Sequence, residues 1–244
     1  MSIKVVLMDK DGTIIDFFKV WGKMLKPVMD RLYKKYKLES MDSLKIDIMQ
    51  LIGVKDGIVD GNGLFACKSF EETSVAVSKY LKTKGIDISP TLLERDLVNE
   101  FAKEIDKLDT IPGFTDVRSL VLKLKEDGIH VGIATTDEYS FTKKFLEKLE
   151  IEDEIEIISA AGSKLPIKPD PKLIEYISNI YSVANCEIAM VGDTLFDMNF
   201  AKESGALAIG VLSGTGLKED LEKNADYIIG SIDNLYELIT KINN

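Results

Sequence analysis

The sequence predicts an α/β fold, a Rossmann-like three-layer core around a parallel sheet with a helical domain inserted into it. From about residue 110 onward, short apolar runs alternate with helical patterns. Residues 17–108 show helical patterns and few strand signals. The insertion follows the apolar run that opens the chain. Strands that alternate with helices imply parallel pairing through right-handed crossovers.

The elements follow in order. The opening MSIKVVLMDKDG reads as a first strand, since its apolar run is too short for a signal peptide and lacks a small-residue cleavage site. Residues 28–36 and 92–105 carry helical patterns, separated by a stretch with glycines at 53, 57, 61 and 63. A segment of roughly 90 residues cannot be a plain loop, so residues 17–108 are expected to form a helical cap domain. Ile111-Pro112-Gly113 marks the return to the core, which comprises residues 1–16 and 109–244. Residues 129–134 read as a buried strand. A helix at 139–149 follows, with Phe141, Phe145, Leu146 and Leu149 on one face. Residues 155–159 form another strand. Asp170-Pro171 supplies an N-cap and a first-turn proline for a helix carrying Leu173, Ile174, Ile177, Ile180 and Tyr181. Strands are expected again at 187–191, 206–211 and 227–230.

Composition narrows the function. The chain has 244 residues, 45% of them hydrophobic, which supports a sizeable core. With 31 basic and 41 acidic side chains the formal charge is −10. That sign disfavours nucleic acid or an anionic membrane as the main partner, but a local site can still take a small anion. No run approaches the roughly 18 apolar residues of a membrane span. Cys67 and Cys186 have no metal-ligand spacing and read as two buried free thiols. There are no internal repeats. A cytoplasmic protein is expected, monomer or homodimer, with no nucleic acid or membrane partner.

In an open α/β sheet ligands bind beyond the carboxyl ends of the strands, and the polar residues collect there. The first strand ends in Asp9-Lys10-Asp11-Gly12-Thr13, where alternation sets Asp9 and Asp11 on one side and Gly12 permits a sharp turn. The strand at 129–134 runs into Thr135-Thr136-Asp137, where a hydroxyl and helix-start N–H groups can hold a phosphoryl oxygen. Lys168 precedes a proline-stiffened turn, and nearby Lys164 lacks that context. The strand at 187–191 leads to Gly192-Asp193-Thr194-Leu195-Phe196-Asp197. Each station alone could be a turn, a cap or a solvated loop residue. Together they bring Asp9, Asp11, Asp193 and Asp197 toward one pocket, where mutual repulsion calls for a cation. Mg²⁺ suits hard oxygen ligands beside a phosphate, and Lys168 adds positive charge toward a phosphoryl dianion.

These stations resemble, in order, the four motifs of the haloacid-dehalogenase superfamily: Asp9-x-Asp11-Gly12-Thr13, then Thr135, then Lys168, then Gly192-Asp193-Thr194-x-x-Asp197. The insertion point is similar to that of the helical cap of subfamily I, with phosphoglycolate-phosphatase-like members looking nearest. The resemblance implies a Mg²⁺-dependent phosphatase of a small phosphorylated metabolite, phosphoglycolate-like or a sugar phosphate, acting through an aspartyl-phosphate. It assigns Asp9 as nucleophile and Asp11 as acid and base. Mg²⁺ would be held by the Asp9 side chain, the Asp11 carbonyl and Asp193, with Asp197 positioning waters or Lys168. Gly12, Thr135, Thr136 and Lys168 would bind phosphate. Phe17, Trp21 and residues 53–63 are candidates for substrate contact, or equally for cap core and turn. Two positions depart from the family pattern. Lys10 stands where leucine is more frequent and is expected to point away from the pocket, and Thr136 replaces a frequent asparagine. His130, near a strand start, reads as structural. A phosphosugar mutase and a non-catalytic phosphate- or partner-binding module are the alternatives.

Overall fold

The apolar runs of the two terminal segments become one sheet. The computed structural model describes residues 2–61, 63–114 and 116–244. It divides into two compact units, one of Met1–Phe17 with Asp109–Asn244 and one of Phe18–Leu108.

In chain order, the first unit opens with β1 (Val5–Met8), after which α1 (Phe17–Lys35) leads into the second unit. There, α2 (Asp42–Leu51) precedes a hairpin of β2 (Val54–Lys55) and β3 (Ile58–Val59), followed by α3 (Leu64–Cys67), α4 (Phe70–Thr83) and α5 (Pro90–Asp106). The first unit resumes with α6 (Val117–Glu126), β4 (His130–Glu138), α7 (Tyr139–Lys148), β5 (Ile157–Ala161), α8 (Lys172–Tyr181) and β6 (Ile188–Gly192). It closes with α9 (Leu195–Ser204), β7 (Leu207–Val211), α10 (Lys218–Asn224), β8 (Tyr227–Ile229) and α11 (Leu235–Asn243).

The six-stranded sheet has the order β5-β4-β1-β6-β7-β8, and every ladder is parallel. All four residues of β1 are buried, as are all five of β6 and of β7. Strands covered on both faces read as unbroken apolar runs, which is why the sequence shows them without alternation. Val5 and Leu7 pack with Leu173, Ile174 and Ile177 of α8, Met198 and Ala201 of α9 and Leu221 of α10. Helices α6 and α7 pack on β4.

Sheet order positions the site. The chain fills β1, β4 and β5 to one side, then crosses to the other side of β1 for β6. β1 is therefore the switch point, where a crevice opens beyond the strand tips. Met8 pairs with Ile133 on one side and Val191 on the other, so Asp9 emerges level with Ala134 and Gly192.

Three expectations need correction. β4 runs on to Glu138, with a register irregularity against β5 between Ala134 and Glu138, so Thr135–Asp137 are extended and not a helix start. α8 starts at Lys172, one residue later than expected, although the Asp170 carboxylate still caps it by accepting from Lys172 N at 3.0 Å. Cys186 is an exposed free thiol and not a buried one, because it lies in a short 3₁₀ turn before β6. The side chain of Cys67 and all of Asn62 lie outside the described residues.

Within the second unit, α4 opens on a capping box between Ser69 and Glu72, and α5 on a Ser89 cap followed by Pro90. Trp21, Phe65, Phe70 and Phe101 form an aromatic cluster, with centroid distances from Phe101 of 5.3 Å to Trp21, 5.7 Å to Phe65 and 5.2 Å to Phe70. Trp21 is thus a core residue of this unit, only 4% exposed. The glycine stretch contains the small hairpin, turned by Asp56 (φ 52°) and Gly57 (φ 77°). At its ends Gly53 and Gly63 lie back to back, so close that a Cβ on Gly53 would fall 2.5 Å from Gly63 Cα. Among the described residues no helix is long and apolar enough to cross a membrane.

Candidate active site

Beyond the tips of β1 and β6 lie three carboxylates. Asp9 follows β1 directly, its N–H donating to the Val191 carbonyl at 2.8 Å. Asp193 follows β6, and Asp197 sits in the first turn of α9. Each offers an oxygen within 4.8 Å of the others, as a hard metal ion requires. Lys168 is the cation among them. Its ammonium donates to Asp9 Oδ1 at 2.8 Å and to Asp197 Oδ1 at 2.5 Å, with only 2% of the side chain exposed. Lys164 is exposed, which decides between the two lysines.

The carboxylates differ in their remaining bonds. Asp197 Oδ2 accepts from Thr194 N at 3.1 Å and Thr194 Oγ1 at 2.6 Å in a reciprocal capping box. Both Asp197 oxygens are therefore engaged, one by the helix cap and one by Lys168. Asp193 Oδ1 accepts from Thr13 Oγ1 at 3.3 Å, and its Oδ2 from Thr215 N at 2.7 Å and Thr215 Oγ1 at 3.2 Å. Glycine is required around it. A Cβ on Gly12, whose φ is +83°, would sit 2.4 Å from Asp193 Oδ2, and one on Gly214 2.1 Å from the same atom.

The electrostatics follow from burial. Burial, with the charges of Asp197 and Asp193, pushes the Asp9 carboxyl up to about 8 against the pull of Lys168. Burial and Asp197 push Asp193 up to about 6, against its bonds from Thr215. Burial works against the Lys168 charge, but Asp197 and Asp9 more than offset it and hold its pKa above the ordinary lysine value. Three carboxylates facing one ammonium leave a net negative site that a divalent cation fits.

Asp11 does not join this group. Its Oδ2 turns to the ammonium of Lys10, which also lies 3.0 Å from Asp137 Oδ2. The Lys10 side chain is fully buried and ion-paired. Thr135 is 3% exposed, and its Oγ1 accepts from Asp137 N at 3.2 Å, whereas Thr136 is exposed. His130 lies at the opposite end of β4, where its ring packs at a tilt against Tyr181 and has Glu156 Oε2 2.7 Å from Nδ1.

Sequence reasoning missed Thr13 and Thr215 as supports of Asp193. A signal existed for the second. Ser213-Gly214-Thr215-Gly216 follows β7, and the rule of reading each strand at its carboxyl end applies there too.

Comparison with known proteins agrees with this geometry. A family model described as haloacid dehalogenase-like hydrolase matches residues 68–211. Glyceraldehyde 3-phosphate phosphatase of Pyrococcus furiosus is 23% identical over 245 residues, covering 99% of this chain and 95% of that protein. Phosphoglycolate phosphatase of Nitrosospira multiformis is 24% identical over 249 residues, covering 99% and 97%. Among solved structures, one described as a predicted phosphoglycolate phosphatase from Haemophilus somnus has a TM-score of 0.72 at 16% identity, covering 98% of each chain.

Proposed function

Because the chain belongs to the haloacid dehalogenase-like hydrolases, we propose that it is a Mg²⁺-dependent phosphatase of a small phosphorylated metabolite, with Asp9 as the nucleophile. The observation that supports the reading is the Asp9–Lys168–Asp197 bridge beside Asp193, two carboxylates joined by one buried ammonium with a third carboxylate alongside, at one strand switch point. The similarity to the two named phosphatases supports the phosphoester class.

The carboxylate cluster fits a hard divalent ion, which the Asp9 and Asp193 carboxylates would hold, together with the Asp11 carbonyl as the family resemblance implies. Such an ion supplies charge neutralisation, which favours an ionised Asp9 and a bound phosphoryl dianion. Asp9 attacks phosphorus in line and the ester bond breaks, giving an aspartyl-phosphate that water then hydrolyses. One hard displacement becomes two easier ones. Asp11 gives its proton to the leaving alcohol and takes one back from the attacking water. Lys168 directs its charge at the equatorial oxygens, where transition-state charge is spread, helped by Thr135, the Thr136 N–H and the turn at Gly12. Asp197 holds Lys168 in place and is itself held by Thr194.

The test is phosphate release across a panel of phosphorylated metabolites with Mg²⁺. Mg²⁺-dependent release from at least one sugar phosphate or phosphoglycolate-like ester supports the reading. Conversion of a sugar phosphate to its isomer without free phosphate points to a mutase, and no turnover of any ester contradicts an enzyme.

A further inference from the structure

A second buried charge group stands beside the carboxylate cluster, and of its members the reaction above uses only Asp11. Lys10 follows the nucleophile directly, yet its side chain is fully buried. Its ammonium ion-pairs with Asp11 Oδ2 and with Asp137 Oδ2 at 3.0 Å, and lies 4.4 Å from the centroid of the Phe145 ring. Asp137 is fixed from its other side, since Oδ1 accepts from Glu138 N at 2.8 Å and its own N–H donates to Thr135 Oγ1 at 3.2 Å. The Asp137 carboxylate is 11% exposed and that of Asp11 21% exposed.

Burying an ammonium is costly unless carboxylates surround it. One fixed carboxylate would be enough for an ion pair serving stability alone. Here the lysine spans two, one anchored to the main chain at the end of β4 and one belonging to the residue that handles the proton. The ammonium is too deep to bind substrate, so its influence on the reaction passes through Asp11. We propose that Lys10 is a positioning residue, held by Asp137 and Phe145, that fixes the carboxylate orientation from which Asp11 exchanges its proton with the leaving group. This rests on the assignment of Asp11 as acid and base.

Proton donation matters most for esters of weakly acidic alcohols and least for p-nitrophenyl phosphate, whose leaving group departs unaided. The experiment measures kcat/KM, which reports the steps up to departure of the leaving group, for aryl and alkyl phosphates with Mg²⁺ present. The variants are Lys10→Met, Asp137→Asn, the double variant and Asp11→Asn. Lys10→Met should lose about tenfold to a hundredfold more on alkyl esters than on p-nitrophenyl phosphate, the size expected when a catalytic group is misplaced. Asp137→Asn should show the same bias, smaller. The double variant removes one charge of each sign, so it restores charge balance but not the hold on Asp11, and the bias should persist. It decides the matter if Lys10→Met alone fails to fold. Equal loss on all esters, no loss, or full recovery of alkyl-ester turnover in the double variant overturns the proposal, provided Asp11→Asn shows the bias. If Asp11→Asn lacks it, the role of Asp11 itself is refuted.

Discussion

Replacing Asp9 with Asn should abolish turnover while making the metal-free protein more resistant to unfolding at mildly alkaline pH. Burial and two neighbouring carboxylates push Asp9 up to about 8 from 3.8. A carboxyl raised in this way keeps, in the folded state, a proton that the unfolded chain has released. Between about pH 4 and about pH 8 the folded state therefore binds more protons, and stability falls as pH rises through that window. The shift is about four units, which at about 1.4 kcal/mol per unit sets a ceiling of about 6 kcal/mol. Asn fills the same volume without charge and gives up only one of the two Lys168 ion pairs, the other being Asp197 at 2.5 Å. Breaking a buried pair has its own cost, so we expect a net gain of about 1–3 kcal/mol at about pH 8 in chelator.

The assay is thermal unfolding at about pH 5.5 and about pH 8, in EDTA and in saturating Mg²⁺, beside phosphate release. On a chain of this length each kcal/mol moves the midpoint by about 2–4 °C. The parent midpoint should fall with pH in EDTA and the Asp9→Asn midpoint should fall less. Mg²⁺ should raise the parent more than the variant, which has lost a charged ligand. A parent curve that is level across this range, or a variant less stable than the parent at about pH 8 in EDTA, refutes the electrostatic account. Substantial turnover by the variant refutes the covalent mechanism.

Chelation should stop turnover and added Mg²⁺ restore it. Because Asp193 is raised to about 6 and Asp9 to about 8, cation binding displaces protons, so apparent Mg²⁺ affinity should climb between about pH 6 and about pH 8. Calorimetry in buffers of different ionisation enthalpy reads this, and a pH-independent affinity with no proton release contradicts it. Lys168→Ala should lower kcat/KM for every phosphoester alike, by about a hundredfold or more, because all share the phosphoryl group. Substitutions within residues 53–63 should instead alter the ratios among esters, and the opposite pattern in those ratios contradicts this division of labour.

The fold was legible where chemistry left a single reading. Strands such as β6 and β7 are apolar at nearly every position because both faces are covered, and no loop or surface helix has that pattern. The far end of β4 was not legible. Thr135, Thr136 and Asp137 lie in the irregular stretch between the β4–β5 pairs at Ala134 and Glu138, and no local pattern announces that the strand continues past it. The hairpin of β2 and β3 carried a readable signal, the Asp56-Gly57 pair that favours a tight turn with positive φ at both residues. Its two-residue strands are too short to show periodicity.

The site divides along a different line. Asp9, Asp193 and Lys168 stood out because each ends a strand or follows one closely, and parallel topology brings such ends together whatever lies between them. Lys10 is also at a strand end, but alternation placed it on the other side from Asp9, which hid its role. Alternation fixes where a side chain leaves the backbone, not where a long flexible one delivers its charge. The lysine stem starts away from the carboxylate cluster, and its ammonium ends against Asp11 because Asp137 waits there at 3.0 Å. Asp137 could not be assigned that place from sequence, since it lies in the irregular stretch of β4 between the pairs at Ala134 and Glu138, which no periodicity marks.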